Sequence, residues 1–109
     1  MLKINNKQLL SFMVTEADSA VAVTNPATGE LIGYAPISTE VELDNAIKRA
    51  NIAQKEWAKV PAKTRAALLN NWYKLILENK DDLARLMTME QGKPLAEATG
   101  EVVYGASFI

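Results

Sequence analysis

The spacing of the apolar residues changes near Thr39 from about two residues to about 3.6, the repeat of an α-helix. After this point six residues fall on one helical stripe: Leu43, Ala46, Ile47, Ala50, Ala53 and Trp57. A stripe of this kind predicts a helix with a buried face. We therefore expect short strands in residues 1–37 and helices in residues 38–109.

Residues 19–24 and 31–35 are β-compatible runs on either side of a turn at residues 25–30. In this turn Pro26 fixes φ and Gly29 provides a permissive position, so we predict a β-hairpin. A further short extended pair is suggested by apolar residues around Asn5-Asn6-Lys7, namely Ile4, Leu9, Leu10 and Phe12. An isolated hairpin is marginal in water, so we expect these strands to pair with others supplied elsewhere.

Four helices are predicted after residue 38. Thr39 and Glu42 form a capping-box pattern at the first, and Pro61 suits the first turn of the second. The stripe of the second helix contains Arg65, Leu68, Leu69, Trp72, Leu75 and Ile76. The third opens at Asp81 or Asp82, turns Leu83, Leu86 and Met87 inward, and ends at Gly92.

The fourth helix should begin near Pro94, with Ala98, Val102, Gly105 and Ile109 on one face. Residues 102–109 are apolar on more than one side and contain no stop signal. Leaving one large apolar side chain exposed forgoes roughly 1.5–3 kcal/mol of burial, so we expect a surface from outside this chain to cover the segment.

Charge and hydropathy argue against two classes of partner. Lys and Arg number 12 against 13 Asp and Glu, which gives no basic face for nucleic acid or anionic lipid. The first residues are polar where a signal peptide needs an apolar core, and no run approaches the ~18 apolar residues of a membrane span. We expect a cytoplasmic protein.

The chain contains neither cysteine nor histidine. Thiolate chemistry, the commonest general base and the commonest transition-metal ligand are therefore all missing. No serine or threonine stands in a Ser-x-x-Lys arrangement that could activate it. We assign no catalytic, cofactor-binding or metal-binding residue to this chain.

Several polar and aromatic groups are candidates for a functional role. The carboxylates Glu40, Glu42, Asp44, Asp81 and Asp82 lie at predicted helix starts, where capping is the favoured role. Trp57 and Trp72 could stack a ligand, but their place on apolar stripes favours a core role. Arg65 and Lys93 could bind an anion, with a solvated or paired structural role favoured. Gly92-Lys93 is not a phosphate loop, because Met87 and Pro94 stand where glycine and Ser or Thr are required.

Two sequence motifs, together with residues between them, match one known family along most of the chain. They are Thr24-Asn25-Pro26-Ala27-Thr28-Gly29-Glu30 and Met89-Glu90-Gln91-Gly92-Lys93-Pro94-Leu95-Ala96-Glu97-Ala98, with Trp57 and Arg-Ala-Ala-Leu-Leu at residues 65–69 between them. Together they resemble the opening of the aldehyde dehydrogenase superfamily. The closing run Tyr104-Gly105-Ala106-Ser107-Phe108-Ile109 looks most like the succinate-semialdehyde dehydrogenase branch.

The resemblance implies an α/β parent with a Rossmann-like cofactor domain, of which residues 1–109 form an incomplete N-terminal part: a β-hairpin region and about four helices. It also implies an NAD- or NADP-dependent oxidoreductase, in which a cysteine thiolate attacks the aldehyde, hydride passes to nicotinamide and a glutamate-activated water releases the acid. These groups lie downstream in family members. Ser107 and Phe108 would then lie near the substrate tunnel.

Three interpretations remain open from the sequence. In the first, the chain is an inactive N-terminal piece of an aldehyde dehydrogenase, and its partners are the remainder of the subunit and further copies in a homo-oligomer. In the second, it is a stand-alone helical interaction module without catalysis. The third, a small enzyme that uses only carboxylates, lysines and hydroxyls, is disfavoured by the missing activating groups.

Overall fold

The computed structural model describes residues 4–11 and 20–109, and it contains a two-stranded sheet and five helices within those ranges. In chain order they are α1 (Lys7–Ser11), β1 (Ala20–Thr24), β2 (Leu31–Pro36), α2 (Glu40–Trp57), α3 (Ala62–Glu78), α4 (Lys80–Gln91) and α5 (Leu95–Ala106). The predicted hairpin followed by four helices is confirmed.

The β1–β2 hairpin is antiparallel, with Ala20 opposite Pro36 and an irregularity in the pairing between Val23 and Thr24. Its turn is closed by two backbone bonds: Asn25 N–H donates to Glu30 O at 2.9 Å, and Gly29 N–H donates to Asn25 O at 2.8 Å. Gly29 has φ of 72°, which explains why glycine is required in this turn. Ser19, predicted to open the first strand, lies outside the described residues.

The segment before the hairpin differs from the prediction. Residues 7–11 form the short helix α1, and not one arm of an extended pair. The side chain of Asn6 accepts a hydrogen bond from the backbone N–H of Gln8 at 2.9 Å, a local bond that favours a helical turn over an extended chain. Leu9 is half-buried on this turn, and Phe12 lies outside the described residues.

Helix α2 begins as the sequence predicts but does not bury its apolar stripe. Both bonds of the capping box between Thr39 and Glu42 are present. Every residue of the helix is nevertheless exposed, including Leu43 and Ile47 at 57% and 59%. The predicted buried face and the predicted core role of Trp57 are wrong for this chain, because no other described element packs extensively on α2.

Helix α3 has two neighbouring apolar faces, and only one is covered. Ile76, half-buried, packs against the core, whereas Leu68, Trp72 and Leu75 are 51–56% exposed. The predicted core role of Trp72 is therefore also wrong for this chain, since more than half of this residue is exposed.

The core lies between α4 and α5. Ala84 and Ala98 are fully buried and Val102 is 8% exposed, with Leu83 and Met87 packed alongside. The buried face of α5 continues with Ala106, and the predicted Gly105 is exposed, because positions 98, 102 and 106 recur at intervals of four. The helix, for which no stop was predicted, ends at Ala106 with Ser107 as its C-cap.

The chain is extended for its size. Its radius of gyration is 16.9 Å, compared with about 13 Å for a compact domain of about 100 residues. Its accessible surface is 8310 Å², which exceeds by about 2,300 Å² the roughly 6,000 Å² expected of a compact 12.0 kDa monomer. Much apolar surface on α2, α3 and α5 is therefore uncovered.

Candidate functional site

An open apolar groove of about 820 Å³ lies between the hairpin and the pair α4–α5. Val23 of β1, Met87 of α4 and Val102 of α5 contribute apolar walls, and Gly105 leaves space near the end of α5. Glu90 and Gln91 are the polar side chains among its lining residues. Such a groove can receive apolar side chains, but it brings together no acid–base pair and no nucleophile.

The loop between α4 and α5 is fixed by contacts on both sides. Gly92 ends α4 with φ of 77°, and its N–H donates to Thr88 O at 2.9 Å, which confirms the predicted stop. A Cβ at Gly92 would lie 3.0 Å from Cγ of Pro26, so the hairpin turn packs directly against this helix end. Lys93 pairs with Glu101 of α5, and this is the paired structural role that the sequence favoured.

Asp82 is the one buried charged residue in the described part of the chain, at 7% exposure. Its carboxylate accepts the backbone N–H of Asn5 at 2.9 Å and of Asn6 at 2.6 Å, and it pairs with Arg85 at 2.9 Å. The Asn5 bond in particular, with those from Asn6 and Arg85, holds the pKa of Asp82 below its usual value, although burial opposes the shift. Asp82 thus fastens the N-terminal segment to α4, a tertiary role that sequence reasoning missed.

The other acidic candidates that the structure places in contacts or helix ends stabilise the starts of helices. Glu42 accepts the backbone N–H of Thr39 at 2.8 Å, and this bond, with a second from the Thr39 hydroxyl, lowers the pKa of the Glu42 carboxyl. The predicted capping role of Glu42 is confirmed. Glu40 lies in the same first turn of α2, and Asp81 is exposed in the first turn of α4, where acids complement the helix dipole.

Arg65 donates from Nη1 to the backbone oxygen of Val60 at 2.8 Å, so it closes the turn between α2 and α3. Among the residues described, Arg65 and Lys93 do not converge on a shared anion site. Arg65 bonds to the turn between α2 and α3, whereas Lys93 pairs with Glu101 of α5.

The end of α5 presents an exposed aromatic pair. The rings of Tyr104 and Phe108 pack edge to face with centroids 4.9 Å apart, and the residues are 67% and 73% exposed. The hydroxyl of Ser107 donates to Tyr104 O at 2.6 Å, so it caps the helix. The position of Ser107 and Phe108 near a substrate tunnel stays a prediction, but their exposure agrees with the expected uncovered apolar end.

The glycines of this chain do not form a phosphate-binding turn at the start of a helix. The positive-φ glycines among them, Gly29 and Gly92, end a hairpin turn and a helix, and neither opens a helix toward a phosphate. In residues 4–11 and 20–109 there is also no group of three or more Asp and Glu placed to hold a metal ion. None of the helices described is long and apolar enough to cross a membrane.

Comparison with known proteins gives a consistent result. A family model described as "Aldehyde dehydrogenase family" matches residues 13–109. A glutarate-semialdehyde dehydrogenase of Pseudomonas putida is 56% identical over 89 residues, which are 82% of this chain and 18% of that protein. An NADP-dependent succinate-semialdehyde dehydrogenase of Escherichia coli is 54% identical over 90 residues, 83% of this chain and 19% of that protein. The chain thus spans about a fifth of the length of these relatives.

The fold agrees with the sequence comparison. An aldehyde dehydrogenase from Brucella melitensis superimposes with a TM-score of 0.90 at 43% identity, over 99% of this chain and 24% of the other. The predicted fold class is confirmed by this likeness. By sequence over residues 13–109 and by fold, the chain belongs to the aldehyde dehydrogenase family.

Proposed function

We propose that this chain is the N-terminal part of an NAD(P)-dependent semialdehyde dehydrogenase subunit, which oxidises succinate semialdehyde to succinate. The observation that carries the proposal is the family match over residues 13–109, together with 54–56% identity to two semialdehyde dehydrogenases. Both relatives are named for an aldehyde that bears a carboxylate at its far end. A short aldehyde with a terminal carboxylate is therefore the substrate class, and succinate semialdehyde is the member we favour.

The role of this chain in such a subunit is that of a scaffold at the front of the cofactor-binding domain. With neither cysteine nor histidine, it has no thiolate to attack an aldehyde and no imidazole to move a proton. Its buried carboxylate, Asp82, is occupied by the amides of Asn5 and Asn6 and by Arg85. The nucleophile, the base and the NAD or NADP site are assigned to the remainder of the subunit, which we place in a homo-oligomer in the cytoplasm, without nucleic acid or membrane partners.

The test compares the purified 109-residue chain with the full-length subunit that we propose contains it. Each protein is assayed for aldehyde-dependent formation of NADH or NADPH with succinate semialdehyde, glutarate semialdehyde and, as a matched control without the carboxylate, butanal. We expect turnover by the subunit, a higher kcat/KM for the two semialdehydes than for butanal, and none by the chain. Turnover by the chain, or a preference for butanal, would refute the proposal.

A stand-alone interaction module remains the second candidate, and one observation favours it. The chain has a small core of its own between α4 and α5, built on Ala84 and Ala98. Circular dichroism with light scattering separates the two functions. A soluble monomer with a single cooperative melt and no activity supports the module, whereas aggregation or a broad melt supports a segment that needs the rest of a subunit.

A further inference from the structure

Residues 4–8, which we call the N-terminal strap, are attached to α4 through one carboxylate. The Oδ2 atom of Asp82 accepts the backbone N–H groups of both Asn5 and Asn6, at 2.9 Å and 2.6 Å. The Oδ1 atom of Asp82 accepts a bond from Nη1 of Arg85 at 2.9 Å. Hydrogen bonds to an ionised group are roughly twice as strong as neutral ones. The charge of Asp82 therefore strengthens the attachment of two consecutive amides of the strap.

A second attachment reaches the joint between α3 and α4. Asn79 is the single residue between these helices, and its Oδ1 atom accepts a hydrogen bond from Nδ2 of Asn6. The Nδ2 atom of Asn79 in turn donates to Leu75 O of α3 at 2.8 Å. Asn6 thus contacts the joint with its side chain and α4 with its backbone, so the strap crosses the point where α3 ends and α4 begins.

The strap lies apart from the packed core. The core of the described residues, built on Ala84 and Ala98, includes no residue of the strap. Among the described residues, α1, which overlaps the end of the strap, packs extensively on no other element. Ile4 is the one apolar residue of the strap, and it is not fully buried. The family match begins at residue 13, so the strap also precedes the matched region.

We propose that the N-terminal strap closes over the joint between α3 and α4 and opens as a unit, and that the charge of Asp82 holds it closed. Opening exposes the carboxylate of Asp82 and the amide of Asn79, which water can solvate. The open and closed forms therefore differ in polar bonds and not in the packing of α4 on α5. This inference goes beyond the proposed function and does not rest on it, because each of these contacts lies within this chain.

Two substitutions of similar shape in the first turn of α4 test the role of the charge. Asp82→Asn keeps an oxygen that can accept an amide but removes the charge, and Asp81→Asn makes the same change at an exposed position. Both variants are made in the 109-residue chain and in the full-length subunit proposed to contain it, so a chain that aggregates alone still leaves the subunit to be measured. Hydrogen exchange of the strap, α4 and α5 is followed by mass spectrometry.

Asp82→Asn should speed hydrogen exchange in the strap roughly 10- to 100-fold, the factor equivalent to a hydrogen bond to a charged group. Exchange in α5, and in α4 beyond its first turn, should change less than about threefold. Asp81→Asn should leave all three regions unchanged. Equal acceleration of the strap and α5 in Asp82→Asn would overturn the proposal, because the strap would then open only with the core. Unchanged exchange of the strap would also overturn it, because the charge would then not hold the strap closed.

Asn6→Ser tests the attachment at the joint. Serine can still accept the backbone N–H of Gln8, as Asn6 does at 2.9 Å, but it is too short to reach Asn79. We expect exchange in the strap to be about 3- to 10-fold faster, the factor equivalent to one neutral hydrogen bond. Lys7→Ala, at an exposed neighbouring position, is the control and should have no effect. Equal effects of these two variants would contradict the bridging role of Asn6.

Denaturant tests whether the strap opens by itself. The dependence of an opening on urea follows the surface that the opening exposes. Below the unfolding transition, the rate of exchange in the strap should stay nearly constant as urea is added, while the rate in α5 rises. Equal dependence on urea would refute a separate opening. Absent aldehyde oxidation by the full-length subunit would refute the proposed function and would leave this result unaffected.

Discussion

Replacing three glycines by alanine separates backbone strain from packing at the junction of the hairpin and α4. Gly92 has φ of 77°, which costs alanine about 1–2 kcal/mol. Its added Cβ would also lie 3.0 Å from Cγ of Pro26, in a rigid ring that must move. Gly29 has φ of 72° but would meet nothing within 4 Å, so its replacement carries only the backbone cost. We expect Gly29→Ala to cost about 1–2 kcal/mol, and Gly92→Ala to cost at least about 1 kcal/mol more.

Gly100→Ala is a control, because it should stabilise the chain where the other two substitutions destabilise it. Gly100 lies inside α5, and a Cβ there would meet nothing within 4 Å, so Gly100→Ala should stabilise the chain by about 0.8–1 kcal/mol. The free energies of unfolding are measured by urea titration with far-UV circular dichroism. In a Pro26→Ala background the extra cost of Gly92→Ala over Gly29→Ala should vanish. An extra cost that persists there, or a destabilising Gly100→Ala, would refute the reasoning.

Three further predictions concern the N-terminal contact, the α2 cap and the core. Asp82→Ala should speed the exchange of the Asn5 and Asn6 amide hydrogens, seen by NMR, whereas Asp81→Ala should leave it unchanged. These bonds lower the pKa of Asp82 in the folded chain below its unfolded value. The stabilisation from Asp82 is therefore fully present above the unfolded-state pKa and is lost as the pH falls through the folded-state pKa. Asn5 and Asn6 amides that stay protected in acid would contradict this. Thr39→Ala should cost about 1 kcal/mol and return the pKa of Glu42 upward in an NMR titration, while Ser38→Ala should do neither. Val102→Ala, at a site 8% exposed, should cost about 2 kcal/mol in urea titration, and Val103→Ala, at 43%, less than about 0.5 kcal/mol; equal costs would place the core elsewhere.

The ends of the helices could be predicted from the sequence because their signals are local. Thr39 and Glu42 are three residues apart, and Gly92 follows α4 directly. Bonds of this range depend on the chain's immediate neighbours, so a pattern in the sequence is sufficient to find them. The hairpin turn at Pro26 and Gly29 was predictable for the same reason.

The burial of side chains could not be predicted in the same way. Periodicity identifies which face of α2 is apolar, but it does not say whether another element covers that face. The contact between Asp82 and Asn5 joins positions 77 residues apart, and nothing in the local pattern distinguishes the buried Asp82 from the exposed Asp81. The groove between β1 and α4–α5 could not be predicted either, because tertiary packing of segments distant in sequence forms it.

In helix α2 the local signals for its ends and the burial of its side chains can be compared within one element. Its ends follow its local signals although no described element packs extensively on it, so tertiary packing does not set them. Most of the stability of a helix within a protein comes from packing of its apolar face, so leucine or isoleucine that faces solvent contributes little to α2 as it stands here. Polar residues at positions 43 and 47 would serve such a helix as well. The apolar residues found there fit the proposed place of this chain within a larger subunit, and the cap at Thr39 fixes where the helix begins.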